Sequence, residues 1–240
     1  MLNNTQKSLF TGLNNNQLKI IAMVSMLIDH IGLVFFPNIR VLRYIGRLAF
    51  PIFAYMIAEG CRYTQNRKRY LGMIAGMALV FQIVYFVFMN SLYQGILVNF
   101  AFAITTIFAI ESFIKNKKVL NRILMLLFVC AVLFIYLYLP AALKKYGFNI
   151  DYGIWGLFLP IIVYFTPNKW LRAVFCGIWL IIMCIVTAKT MQWWALMTIP
   201  LFMLYNEKRG SKNLKYVFYI FYPLHLVIIY IVMFILQIIK

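Results

Sequence analysis

A chain of 240 residues that is 65% hydrophobic and 12% charged, with a mean hydropathy of +0.87, falls outside the composition of soluble domains. Its net charge of +18 lies in connections between apolar stretches, with no separate basic, aromatic-bearing domain, which argues against a nucleic-acid partner. The length accommodates about nine spans of ~20 residues, eight to ten being compatible, so the expected fold is an all-α polytopic membrane bundle.

In chain order, residues 1–17 are polar and asparagine-rich, too poor in apolar residues for a signal peptide, and read as a short cytoplasmic tail or surface helix. Residues 18–240 then read as one transmembrane domain. Spans are expected at about 18–36, 44–61, 70–89, 96–114, 120–139, 152–166, 170–188, 191–205 and 215–238. The eighth is short, and the turn at 189–192 before it is tight. Alternate connections carry 16 of the 23 lysines and arginines, among them Arg62, Arg67, Arg69, Lys118, Lys169, Arg172 and Arg209, together with Lys7 and Lys19. The positive-inside rule puts that side, and the N-terminus, in the cytoplasm. Arg40, Arg43, Lys144, Lys145 and Lys189 fall on the other side, and Trp193–Trp194 at a span end fit an aromatic belt. Cys61, Cys130, Cys176 and Cys184 show no ligand spacing and read as small core residues, with neither metal nor disulfide implied.

Ionisable residues inside spans are costly and mark function or pairing. The first span, LKIIAMVSMLIDHIGLVFFP, carries Lys19, Asp29 and His30. Eleven positions separate Lys19 from His30, a rotation that returns to within about 20° of the same face and a rise of about 16 Å. Asp29 points about 100° away from His30 and cannot orient it within one helix. Its simplest partner is Arg47, the basic residue most clearly inside a span, in a structural ion pair. His30 is therefore expected to line a membrane cavity open toward the cytoplasm. Glu111 reads as snorkelling toward the basic loops; Glu59, beside Gly60, suits close packing. His225 follows Pro223, which bends the last span and frees a carbonyl. Its structural and functional readings stand level.

Several strings, LKIIAMVSMLIDHIG, GRLAFPIFAYMIAEG, the Asn99–Thr105 region, DYGIWG at 151–156 and FYIFYPLHL, resemble the TraX family, whose name comes from a conjugation protein associated with N-terminal acetylation of pilin. A more distant similarity is to the integral-membrane type-three acyltransferases. In those a basic residue precedes a catalytic histidine on the first span by the spacing of Lys19 and His30, with arginine usual where this chain has lysine. The resemblance implies a bacterial inner-membrane enzyme. It would take acetyl-CoA or another acyl-CoA from the cytoplasm and acylate an acceptor at the outer side: a protein N-terminus, a glycan or a wall polymer. On that reading His30 is the base, with Asp29 beside it. Lys19, Arg47, Glu59, Asn99, Asp151, Tyr222 and His225 contact substrates, and Arg47 or Tyr222 acts on the oxyanion. Two other classes remain open: a transporter or flippase, which the same intramembrane charges suit, and a non-catalytic assembly factor of a surface apparatus.

Overall fold

The computed structural model describes residues 12–116, 118–210 and 214–238. Most of the expected N-terminal tail, with Lys7, and also Lys117, Lys212 and Lys240 lie outside the described residues. Every regular element described is helical, joined by two isolated bridges, Leu13–Tyr205 and Gln94–Ile150. Among the described residues, seven helical segments are long and apolar enough to cross a membrane. The sixth and eighth expected spans are helical but shorter. Gly153–Phe165 is one, and the other divides into a 3-10 stretch, Thr190–Met197, followed by Thr198–Leu204.

Helix α1 (Asn15–Val34) starts earlier than its hydropathy suggests. Asn14 caps it, its side chain accepting from the Gln17 amide while the Gln17 side chain accepts from the Asn14 amide. The second apolar segment breaks into α2 (Arg40–Gly46) and α3 (Ala49–Tyr63). Pro51 explains the break, because it cannot donate to the carbonyl four residues earlier, at Arg47, and its ring crowds that carbonyl. Then follow α4 (Arg67–Met89), α5 (Ile96–Lys115) and α6 (Val119–Leu133). The last continues through a π turn, Phe134–Tyr138, into α7 (Leu139–Ala142), where Pro140 likewise removes a ladder bond. Helices α8 (Gly153–Phe165), α9 (Lys169–Thr187), α10 (Thr198–Leu204) and α11 (Lys215–Ile238) complete the chain.

Helix α3 lies at the centre, buried along most of its length, with α1, α5 and α8 packed around it. Helix α11 packs on α1 and α4, and the exposed apolar face of α6 marks the periphery. Tyr55, Phe100, Phe202, Tyr205, Leu18 and Ile52 are among its most deeply buried side chains. Cys61, Cys176 and Cys184 are buried as expected of small core residues, whereas Cys130 sits on the exposed face of α6.

Gly46 lets α2 approach α1. The Asp29 carboxylate fills the space a Cβ at 46 would take, while nothing lies near a Cβ at Gly76 in α4. Gly46→Ala should therefore lower stability by about 1–3 kcal/mol, the usual cost of overpacking. Gly76→Ala should be neutral or stabilising by up to about 1 kcal/mol through helix propensity. Thermal unfolding of the two purified variants in one detergent checks the contrast; equal melting points would refute the close-approach argument.

Candidate functional site

At the end of α1 away from the basic connections, the Asp29 carboxylate receives two guanidinium groups from α2 and its C-terminal edge. Arg43 Nη1 donates to Oδ2 at 2.8 Å and to the Asp29 carbonyl at 3.2 Å. Arg47 Nη2 donates to Oδ1 at 3.1 Å and to Oδ2 at 3.4 Å, and its Nε to the Arg43 carbonyl at 3.3 Å. The pairing of Asp29 with Arg47 is as the sequence suggests. Arg43, read there as a loop charge, is a full partner.

With Asp29 turned away, His30 meets a histidine from the far end of the chain. Its Nδ1 lies 2.9 Å from the Met26 carbonyl and 3.3 Å from His225 Nε2. His225 Nδ1 lies 2.9 Å from the Phe221 carbonyl, and its ring stacks on Phe221 at 5.0 Å. For two neutral rings these acceptors assign the tautomers. A carbonyl needs a donor, so each Nδ1 carries hydrogen, and His225 Nε2 then accepts from His30 Nδ1. The ring nitrogen left with a lone pair and no partner among the described residues is His30 Nε2. Proline explains why α11 can bring His225 here. Pro223 interrupts the ladder two residues before His225, and the histidine side chain takes up a carbonyl bond of its own, to Phe221.

A cavity of about 490 Å³ runs between α1, α3, α4 and α11 from the basic-rich side. Asn15, Asn16, Lys19, Glu207 and Arg209 line it, and so, from the helix interiors, do Phe53, Phe100 and Tyr222. Lys19 Nζ lies 5.3 Å over the Phe218 ring. His30 does not line this cavity, contrary to the expectation. Tyr222 does, its ring meeting His225 edge-on at 5.9 Å, with His30 the next ring beyond. The histidine pair thus stands behind Tyr222 rather than in the cavity wall.

Three other expected contact residues need correction. Glu59 lines the cavity, but it is 1% exposed and its carboxylate is engaged within the protein. Oε1 accepts from Arg62 at 2.7 Å and Arg172 at 3.0 Å, and Oε2 from the Tyr205 hydroxyl at 3.2 Å. Arg172 also donates to Glu207 at 2.9 Å and to the Thr166 and Pro167 carbonyls; Arg62 donates to the Tyr164 carbonyl at 2.6 Å. Asn99 lies outside the cavity wall and is wholly structural. Its amide nitrogen donates to the Asp151 and Gly153 carbonyls, at 2.8 and 2.9 Å, and its oxygen accepts from Tyr136. Asp151, also outside the wall, accepts from the Tyr93 hydroxyl at 2.8 Å. Glu111 pairs with Arg67 and accepts from Tyr164 at 2.6 Å, in keeping with its snorkelling toward basic loops. Arg62 and Arg172 were invisible as partners, because both read equally well as orientation charges. Among the described residues no group of three or more His, Cys, Asp or Glu side chains stands as metal ligands do.

Seven long apolar helices among the described residues, with the buried Asp29 and Glu59 carboxylates paired to arginines of other helices, define a multi-pass helical membrane protein. The family model for TraX protein matches residues 14–233, and the chain belongs to that family. It is similar to the probable fimbrial assembly protein FimC, serogroup H1, of Dichelobacter nodosus, with 24% identity over 239 residues, covering 89% of this chain and 93% of that protein. A 38-residue stretch, 16% of this chain and 15% of the relative, is 47% identical to an uncharacterized protein of Rickettsia prowazekii (strain Madrid E). No solved structure matches the chain.

Glu59→Gln should destabilise the fold by about 3–5 kcal/mol, since it leaves Arg62 and Arg172 short of a buried counter-charge. Chemical or thermal unfolding in detergent would measure it. A change below about 1 kcal/mol would mean that water, not Glu59, carries those guanidinium groups.

Proposed function

We propose that this protein is an acyl-CoA-dependent acyltransferase of the bacterial cytoplasmic membrane. Acetyl-CoA or another acyl-CoA enters from the basic-rich, cytoplasmic side. The acyl group passes to an amine or hydroxyl of an acceptor, a protein N-terminus or a glycan or wall polymer, reached from the opposite side. The observation that carries this reading is the His30–His225 contact, which leaves His30 Nε2 as an unpartnered base one ring beyond His225 and the deep end of the cavity.

Each step uses a named group. Lys19 and Arg209 at the cavity mouth supply positive charge for the phosphates of the donor. Lys19 and His30 belong to one unbroken helix, eleven residues and about 16 Å apart, a span of the order of an extended pantetheine arm. His30 Nε2 takes the proton of the acceptor N–H or O–H as the freed lone pair attacks the thioester carbonyl carbon. The Tyr222 hydroxyl, in the cavity wall and without a partner among the described residues, donates to the oxyanion. Arg47 is unsuited to that task because Asp29 holds it. When the C–S bond breaks, the coenzyme thiolate takes the proton from His30 and leaves as free thiol. His225 is a positioning residue: its Nε2 and the Met26 carbonyl hold the His30 Nδ1–H and stabilise the charged ring while it carries the proton.

The FimC relative is called a fimbrial assembly protein, and that name supports a second reading, in which this chain assists assembly of a surface apparatus without catalysis. Release of free thiol from acetyl-CoA by purified protein separates the two. His30→Ala should lower that rate by about 10²–10⁴ while leaving the protein folded, as loss of a general base does. Lys19→Ala should raise the donor KM by about tenfold or more with kcat little changed, and Lys19→Arg should restore it, as expected for one charge contact to phosphate. Unchanged turnover in a folded His30→Ala variant would remove the catalyst and leave the assembly role.

A further inference from the structure

The Asp29 cluster has more positive charge and more donors than its ion pairs consume. Arg43 engages Asp29 through Nη1; its Nε and Nη2 have no partner among the described residues, nor has Arg47 Nη1. Both Asp29 oxygens are already engaged by these two side chains. Two guanidinium groups therefore share one carboxylate within ion-pair distance, an excess of one positive charge. The cluster is still reachable, with side-chain exposures of 21% for Arg43 and 17% for Arg47 and Asp29.

A second observation points to the same place. Gln192 is 3% exposed, yet its amide nitrogen has no well-formed hydrogen bond among the described residues, the Tyr152 hydroxyl beside it offering only a weak one. It belongs to the 3-10 stretch that packs on α2, where Tyr44 stacks on Trp194 at 5.0 Å, and it sits beside the Tyr152 side chain. Tyr152 is in turn within electrostatic reach of Arg47. It holds φ +58, a backbone conformation that side chains rarely adopt, while its ring stacks on Phe50 at 3.8 Å. Such strain persists only where the surroundings fix it, and it gathers at functional sites. An ion pair built only to join α1 to α2 would explain the Asp29 contacts. It would not explain the leftover guanidinium donors, the excess charge or the poorly satisfied buried amide.

We infer that Arg43 and Arg47, with Gln192 beside Tyr152, bind an anionic group, carboxylate or phosphate, that the acceptor carries close to its reacting amine or hydroxyl; this rests on the acyl-transfer reading of His30. The site lies at the opposite end of α1 from Lys19, so it serves the acceptor rather than the donor. It is also one residue from the base. An anion bridging the free donors would set the neighbouring nucleophile against His30 and neutralise the surplus charge.

Two arms test this on the full-length protein in detergent. In the binding arm, thermal unfolding is followed in inorganic phosphate and in chloride of equal ionic strength. A phosphate-specific rise in melting point should persist in Lys19→Gln, where the cavity mouth is weakened, and vanish in Arg43→Gln. Gln192→Leu, which removes no charge and keeps the fold should Arg43→Gln lose it, should shrink the rise. Absence of a phosphate-specific rise, or its loss in Lys19→Gln alone, would overturn the site. In the acceptor arm, thiol release from acetyl-CoA is compared for β-alanine against β-alaninamide and for phosphoethanolamine against ethanolamine. The charged member of at least one pair should have a kcat/KM higher by about tenfold or more, the worth of a charge-assisted hydrogen bond. Which pair responds tells carboxylate from phosphate. Equal use of charged and neutral amines would overturn the inference and leave acyl transfer standing. No thiol release with any of these amines, nor with glycerol or glycerol phosphate as hydroxyl acceptors, would defeat the acyl-transfer reading and with it the assignment to an acceptor, whatever the binding arm gave.

Discussion

The arrangement depends on the Asp29 carboxylate being held by two guanidinium groups where bilayer water is scarce. A lone carboxylate there would be prohibitive, and two lone guanidinium groups more so, so each makes the others tolerable. The consequence is geometric as much as energetic. Asp29 can reach Arg43 and Arg47 only if α2 lies against α1, which Gly46 permits by having no side chain to occupy the carboxylate's place. Once Asp29 is fixed on that side, the rotation of about 100° to the next residue turns His30 elsewhere, toward α11. The ion pair thus aims the histidine without touching it.

The basic-rich side solves the same problem with more partners. Glu59, deep in α3, accepts from Arg62, Arg172 and Tyr205, and Arg172 goes on to Glu207 and to the carbonyls that end α8. That one carboxylate ties the central helix to the α8–α9 turn and to the end of α10. Three backbone hydrogen bonds then join the segment after α10 to the start of α1: Leu13 to Leu204, Asn206 to Leu13, and Asn15 to Lys208, each 2.8 Å. The mouth of the cavity is therefore framed by backbone from the start of α1 and from the segment between α10 and α11. Lys19 and Arg209 lie on that rim.

What the sequence reveals of this follows from which constraints are local. Apolar length and loop charge depend on neighbouring residues, so the helical membrane architecture and nearly all the segments are readable. The shortening of the eighth segment shows in its tight turn. The breaks at Pro51 and Pro140 follow from a missing donor, although hydropathy alone runs across them. Asp29 and Arg47 are readable as a pair because both stand out inside spans. Arg43, Arg62 and Arg172 are not, since an arginine near a span end satisfies the orientation rule whether or not it reaches inward. Asn99 misled for a related reason: a buried amide looks like a ligand until its partners are found to be the carbonyls that open α8. The His30–His225 contact joins residues 195 positions apart and leaves no local trace. Tyr152 in a left-handed conformation is equally silent, for tyrosine is not the residue that usually marks one.

The membrane gives the site its direction. Charges that would recognise a phosphorylated donor collect at the rim of the cavity, where Lys19 and Arg209 sit. Two guanidinium groups share Asp29 at the other end of the same helix. Between them the cavity wall turns apolar and aromatic, and the histidine pair stands beyond Tyr222 with no carboxylate among its hydrogen-bond partners. A carboxylate orienting His30 would have put another charge at membrane depth, where it would need its own counter-ion. A second neutral imidazole, anchored to a backbone carbonyl, orients the ring without that requirement. In a low dielectric it would also disperse the charge of a protonated His30. The His–His contact is thus the form an orienting group takes when the surroundings tolerate hydrogen bonds but not spare charges.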